Sequence, residues 1–164
     1  DSYLYLPVHI IYDLKWKELG KHVSNLVPLG EGEEVISSLL VKDFKKDVNV
    51  IISTANGMIK RTSLSDFKIT RITKPSSCIK LKDGDTVVDV MLDTNPDIFI
   101  ATSLGYGLWF SKEEIPIVGI KASGVKAINL KDDTVVSTIN FDEENSDYLA
   151  ILTDKGTGLS LIHI

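Results

Sequence analysis

The chain has 164 residues, 43% hydrophobic and 25% charged, and 18 Lys and Arg against 23 Asp and Glu give it a net charge of −5. These are the proportions of a globular protein with length for one or two domains. No apolar run approaches the ~20 residues of a membrane helix, the acidic balance argues against nonspecific nucleic-acid binding by the whole surface, and the single Cys78 excludes an internal disulfide or a multi-cysteine metal site.

The chain opens at Asp1-Ser2-Tyr3 without an initiator Met or a signal segment and is expected to be a piece of a longer chain. Tyr3 to Ile11 alternates as a strand does, with Pro7 marking an edge or a strand end. Asp13 to His22 reads as a structured loop, since Gly20 and its short length disfavour a helix. Val23 to Leu29 and Glu34 to Val41 are expected strands around the turn Gly30-Glu31-Gly32-Glu33. Asp43 to Asp47 is a polar connection into the stretch around which the chain is organised, Asn49 to Phe67.

In that stretch Val50, Ile51 and Ile52 form a β-branched run, Ala55-Asn56-Gly57 a turn, and Met58 to Thr62 a returning strand. Asn-Gly between two β-prone runs predicts a hairpin with a type I′ turn, because both residues tolerate positive φ. Ser65 to Ser77 is a basic loop, Cys78 to Leu81 a short strand, Lys82 to Asp85 a turn, Thr86 to Leu92 a strand, and Thr94 to Asp97 a further turn. The order then repeats. Ile98 to Thr102 and Gly107 to Ser111 make a hairpin, Lys112 to Ser123 a loop, and Gly124 to Leu130 and Thr134 to Phe141 strands around the turn Lys131-Asp132-Asp133. Tyr148 to Ile164 supplies one more hairpin.

Gly57, Gly105 and Gly156 recur at roughly 50-residue spacing, the range of propeller, solenoid or array repeats. Leu29 to Ile36 matches Leu81 to Val88, and both match Leu130 to Val136, which is a residue shorter and lacks the glycine. A four-strand unit of this size cannot bury both faces alone, so neighbours must stack. The reading is all-β, with units of about 1–47, 48–96, 97–146 and 147–164. A β-sandwich would also give many short strands, but not the regular reuse of one hairpin-loop-strand order.

The repeat resembles the blades of the C-terminal domain of bacterial type IIA topoisomerase A subunits. Gly57, Lys60, Arg61, Leu81, Gly84, Asp85, Val87 and Val88 fit the family pattern, as do Gly105, Ile115, Pro116, Gly119, Gly124, Val125, Lys126 and Leu130. The gyrase form carries a Gln-Arg-Arg-Gly-Gly-Lys/Arg-Gly box after such a hairpin. Lys68 to Pro75 stands in that place with basic residues and none of the box glycines, which is similar to the topoisomerase IV branch. Leu6 to His9 and Trp16 to Gly20 are also similar to the Gram-positive form of that branch.

The resemblance implies a β-pinwheel, a propeller-like fold whose blades exchange strands. About three to four blades of about four strands are expected here, fewer than most closed propellers hold. They would form an open arc or close through another copy, and open strand edges invite pairing between chains. The implied function is noncatalytic binding and bending of double-stranded DNA, presented to a catalytic core for ATP-dependent strand passage. The implied partners are DNA, the ATPase B subunit, and the remainder of the A subunit, with no membrane, in the bacterial cytoplasm at the chromosome. Without the box, chiral wrapping is not expected. No cofactor is expected in this stretch, since ATP and Mg belong by resemblance to other domains or to the other subunit. The strand-passage tyrosine lies elsewhere too, and no Gly-x-Ser-x-Gly, Walker loop or paired His is present. His9, His22 and His163 show no ligand spacing.

A DNA binder needs cations on one continuous face. Lys60 to Lys82 holds Lys60, Arg61, Lys68, Arg71, Lys74, Lys80 and Lys82 against Asp66 alone. Lys60, Arg61, Lys68, Arg71 and Lys74 are the leading candidates for phosphate contact, against a merely solvated loop. Lys15, Lys17 and Lys21 occupy the equivalent loop of the first unit, and Lys121 and Lys126 lie in the third. Lys45 and Lys46 read as solvated. Trp16 and Trp109 could stack on bases, although Trp109 reads as packed between blades and Trp16 as a packing anchor. Asp83, Asp85, Asp132 and Asp133 read as turn formers, not cation ligands. Two rival readings are a protein-interaction propeller, favoured by the acidic balance, and a structural blade piece that binds nothing strongly alone.

Overall fold

The computed structural model describes residues 1–69, 74–145 and 148–161. Arg71 and His163 lie outside them. Among the described residues there is no α-helix, and eleven strands follow in order. They are β1 (Ser2–Tyr3), β2 (Asn49–Thr54), β3 (Met58–Ser63), β4 (Ser76–Ser77), β5 (Val87–Leu92), β6 (Asp97–Thr102), β7 (Gly107–Ser111), β8 (Val125–Lys126), β9 (Val135–Phe141), β10 (Leu149–Leu152) and β11 (Gly158–Leu161).

The hairpins β2–β3, β6–β7 and β10–β11 share one turn. The amides of Gly57, Gly105 and Gly156 each donate to the carbonyl three residues back, of Thr54, Thr102 and Thr153, at 3.0 Å. The same threonines accept at Oγ1 from the amides of Met58, Tyr106 and Thr157 at 3.2, 3.1 and 3.2 Å. Only the glycine of each turn is left-handed, with φ of 78°, 86° and 75°. The expected type I′ turn is therefore corrected. Asn56 keeps a negative φ, and the geometry is that of a longer loop closed by a left-handed glycine. The repeated signature is Thr-x-x-Gly.

The strands form sheets of order β5-β2-β3-β8 and β7-β6-β9, with two-stranded pairs β1-β4 and β10-β11. β5 and β9 pair with the first strand of the hairpin before them, each with a register shift near its start. β8 leaves its own repeat and joins the preceding one, setting Val125 opposite Ile59 and Lys126 opposite Met58. β4 does the same to β1, with Ser76 opposite Tyr3. This is the strand exchange of a pinwheel. It also explains why, among the described residues, one sheet alone reaches four strands. β7 receives no exchanged strand among them, so its outer edge is open.

The four-stranded sheet is covered on both faces, which accounts for the unbroken apolar run Val50-Ile51-Ile52. Val50 and Ile52 face one core with Val48, Leu64, Phe67, Cys78 and Ile79. Ile51 and Ile59 face the other with Ile98, Ile100, Ile115 and Val135. The Tyr3 ring meets Phe67 edge-on at 5.2 Å and ties the first repeat to the second. β5 and β9 lie against each other at the inner end of their sheets, where Asp89 Oδ2 accepts the Thr138 amide at 2.7 Å.

Several expected strands are not formed. Tyr3 to Ile11 is paired as a strand only at Tyr3 and then makes a 3-10 turn at Val8–Ile10, and Val23 to Leu29 begins with another at Val23–Asn25. Glu34 to Val41 has the same pattern as β5 and β9 but no ladder, because no hairpin pairs with it among the described residues. Cys78 to Leu81 is not a strand, and the ladder sits just before it at β4. Gly124 to Leu130 contracts to the two residues of β8, which pair with Met58 and Ile59 of β3.

Candidate nucleic-acid interface

Lys60 and Arg61 are not surface cations, which corrects their expected role. Lys60 is 0% exposed and Arg61 5% exposed. The loop after β7 covers them. The Arg61 amide donates to Pro116 O, and its carbonyl accepts from the Val118 amide at 2.9 Å. Lys60 Nζ donates to Ile120 O at 2.7 Å and, at 3.4 Å, to Gly119 O. Arg61 Nε donates to Ile115 O at 2.8 Å, Nη1 reaches Asp93 Oδ2 at 3.2 Å, and Nη2 reaches Glu113 Oε2 at 3.2 Å. The pair is a clamp that holds the next repeat's crossing loop on β3. Burial lowers the Lys60 pKa and raises that of the Cys78 thiol.

Asp93, which no sequence motif singles out, is the buried centre of this clamp. Besides Arg61 it receives Lys112 Nζ at 2.8 Å and Asn49 Nδ2 at 3.1 Å. Burial pushes its carboxyl up, but the bonds from Lys112, Asn49 and Arg61 outweigh that and hold it below the ordinary carboxylate value. The one available signal was its place directly after the last residue of β5.

The remaining candidates among the described residues are exposed. Lys15, Lys17, Lys21, Lys68, Lys74, Lys121 and Lys126 all face solvent, with Lys126 Nζ donating to Asn129 Oδ1 at 2.8 Å. Their placement follows the repeat. β1, β3 and β7 are each followed by a 3-10 turn, at Val8–Ile10, Leu64–Phe67 and Lys112–Glu114. The chain then runs on through Lys15, Lys17 and Lys21, through Lys68 and Lys74, or through Lys121. The second and third of these loops end on the outer strand of the preceding repeat. The cations of these loops therefore occupy the same step of three successive repeats.

The aspartates of the turns have structural work. Asp85 Oδ1 accepts the amides of Asn56 and Thr86, both at 2.9 Å. Asp133 Oδ1 accepts those of Leu104 and Thr134 and the Ser103 hydroxyl at 3.1, 2.8 and 2.6 Å. Each fastens the hairpin turn of its own repeat. In the shortened third turn Asp132 takes a positive φ of 52° where Gly84 stands at 75° in the second. Trp109 packs on Phe141 of its own sheet with ring centroids 6.3 Å apart. Trp16, expected as an anchor, is 96% exposed.

The family model for the DNA gyrase C-terminal domain, a β-propeller, matches residues 49–92 and 96–142, more than half of the chain. The A subunit of DNA topoisomerase 4 from Staphylococcus epidermidis is 43% identical over 94% of this chain and 19% of its own length. A crystal structure of the C-terminal domain of DNA topoisomerase IV superposes with a TM-score of 0.88 at 39% identity, over 98% of this chain and 50% of that one. A DNA gyrase A C-terminal domain gives 0.70 at 26%, over 87% of this chain and 47% of that one. The chain thus spans about a fifth of the curated relatives it matches and half of the solved topoisomerase IV domain. On its repeats, its strand exchange and these matches, the chain belongs to the DNA gyrase C-terminal domain family of β-propellers.

Proposed function

We propose that this chain is a noncatalytic DNA-binding and DNA-bending module of a topoisomerase IV A subunit. It takes a duplex segment on its outer rim and presents it to a catalytic core for ATP-dependent strand passage, in decatenation and supercoil relaxation. The observation that carries this reading is the recurrence of exposed lysines at one step of successive repeats: Lys15, Lys17 and Lys21, then Lys68 and Lys74, then Lys121. Arg71 belongs to the same loop by sequence. Lysines so arranged fix phosphates without reading bases. The topoisomerase IV relatives support it over a gyrase A subunit, as does the absence of a glycine box between Lys68 and Pro75.

On this reading the partners are double-stranded DNA, the ATPase B subunit, and the rest of the A subunit, in the cytoplasm at the chromosome. Nucleotide and Mg are used elsewhere in the enzyme. No helix among the described residues is long and apolar enough to cross a membrane. The same reading divides the chain into units of about 1–47, 48–96, 97–146 and 147–164, each one turn of the repeat. A second chain would pair at the outer edge of β7, which carries no further strand among the described residues.

A salt titration of duplex binding tests the proposal. Affinity should fall steeply with salt, and charge reversal at Lys68, Lys74 and Lys121 together should flatten the slope by roughly one for each phosphate no longer engaged. A flat salt response with recovery of a protein partner would decide for an interaction propeller, which the net charge of −5 favours.

A further inference from the structure

The rim loop of the first repeat carries more than charge. Trp16 is 96% and Leu19 104% exposed, so neither side chain touches the body of the protein. The loop is nonetheless built. The Glu18 amide donates to Lys15 O at 2.9 Å, closing a turn with Trp16 and Lys17 at its tip. Glu18 Oε2 folds back to accept the Lys15 amide. At the base, Lys21 Nζ lies 5.9 Å from the centre of the Tyr12 ring. The fastened turn thus holds Trp16 in water, Leu19 is exposed directly after it, and Lys15, Lys17 and Lys21 belong to the same loop.

We infer that Trp16 and Leu19 form a wedge that enters the duplex between base steps at the bend, while Lys15 and Lys17 hold the flanking phosphates. The inference rests on the DNA-binding reading above and adds a deforming element to it. Apolar side chains inserted between steps kink a duplex by partly unstacking it, and a tip that is already folded gives up little freedom on insertion. The lysines select the occupant. An apolar tip with Lys15 and Lys17 on either side of Trp16 in the chain fits a polyanion with stackable faces inside it, and Glu18, the acid of this turn, is already folded toward its own backbone.

The test uses the whole chain and a duplex carrying 2-aminopurine, whose fluorescence rises on unstacking, with end labels that report bending by energy transfer. Wild type should raise the fluorescence and shorten the end-to-end distance. Trp16→Ala and Leu19→Ala should abolish the rise, reduce the bend and weaken binding roughly tenfold. The salt slope and melting temperature should stay unchanged, because both side chains are free of the fold. Equal bending and no fluorescence change for wild type and Trp16→Ala, with salt-dependent binding intact, overturns the wedge and leaves the DNA reading standing. No salt-dependent duplex binding by wild type overturns both. Trp16-dependent partition onto phosphatidylglycerol vesicles, without a Trp16 effect on DNA, also overturns the wedge.

Discussion

Arg61 Nη1 lies 3.2 Å from Asp93 Oδ2, and the two side chains are 6% and 2% exposed. The pair joins the returning strand of one hairpin to the end of the strand that completes the same sheet. Through Glu113 and Ile115 O, the same guanidinium grips the next repeat.

Removing Arg61 should therefore act on folding. Arg61→Ala leaves Asp93 with Lys112 and Asn49 alone and strands Ile115 O, a loss of about 3–5 kcal/mol for one partner of a buried ion pair. Arg61→Lys should recover little of it, because an ammonium cannot serve three acceptors spread around a planar fork. Urea denaturation measures both. Lys68→Ala, at the exposed rim, should stay within about 0.5 kcal/mol of wild type. An unshifted urea midpoint for Arg61→Ala would return Arg61 to the phosphate-contact set.

Asp93 gives the clamp a pH dependence. Its folded pKa is depressed, since the bonds from Lys112, Asn49 and Arg61 outweigh burial. A carboxyl of this kind contributes stability that is present above its unfolded value of about 3.9 and is lost as the pH falls through the lower folded value. Unfolding free energy should thus decline on acidification below about pH 5. Asp93→Asn should be less stable at pH 7 and show a flatter acid limb. Parallel acid limbs would mean that other carboxylates carry the transition.

The hairpins were legible because a glycine between two β-prone runs marks a turn that needs a left-handed residue, and β5 and β9 because each is a short apolar run ending on a turn. The first repeat misled for the opposite reason. Glu34 to Val41 reads like β5, but a strand is a property of a pair, and among the described residues it has no hairpin beside it. The candidate site divided along the same line. Lys15, Lys68, Lys74 and Lys121 sit in loops whose exposure follows from composition. Lys60 and Arg61 sit in a strand that looks half exposed until a loop more than 50 residues later is laid over it. Nothing local to them announces that cover.

Gly124, at the end of the crossing loop, lies tight against β3. Its φ is 85°, and a Cβ there would stand 2.4 Å from Ile59 O. Gly124→Ala meets both a left-handed backbone and a main-chain collision, so it should destabilise by more than the ~1 kcal/mol that a compatible Gly-to-Ala exchange gains. The damage should be local. Hydrogen exchange should show the Val118 and Ala127 amides, which bond Arg61 O and Gly57 O, losing protection before those of β2. Gly119→Ala, with open space around its Cβ position, is the control and should be mild.

At the inner end of the sheets, one carboxylate is held at a cost. Burial raises the Asp89 pKa, and the bonds from the Thr138 amide and the Ser137 side chain only partly offset it. With the folded pKa above the unfolded one, the folded state binds the extra proton between the two values, so stability falls as pH rises through that window. Asp89→Asn keeps a carbonyl oxygen for the Thr138 amide and removes the half-buried charge. It should be more stable than wild type at pH 7, with the difference vanishing below about pH 3.9, where the wild-type group is neutral in both states. Asp89→Ala removes the acceptor as well and orphans the Thr138 amide, which should destabilise by about 1–3 kcal/mol. Thermal melts of the three proteins at pH 3.5 and pH 7 separate the two effects. If Asp89→Asn melts below wild type at pH 7, the charge on the Thr138 bond is worth more than its burial costs, and Asp89 is a stabilising link between neighbouring sheets.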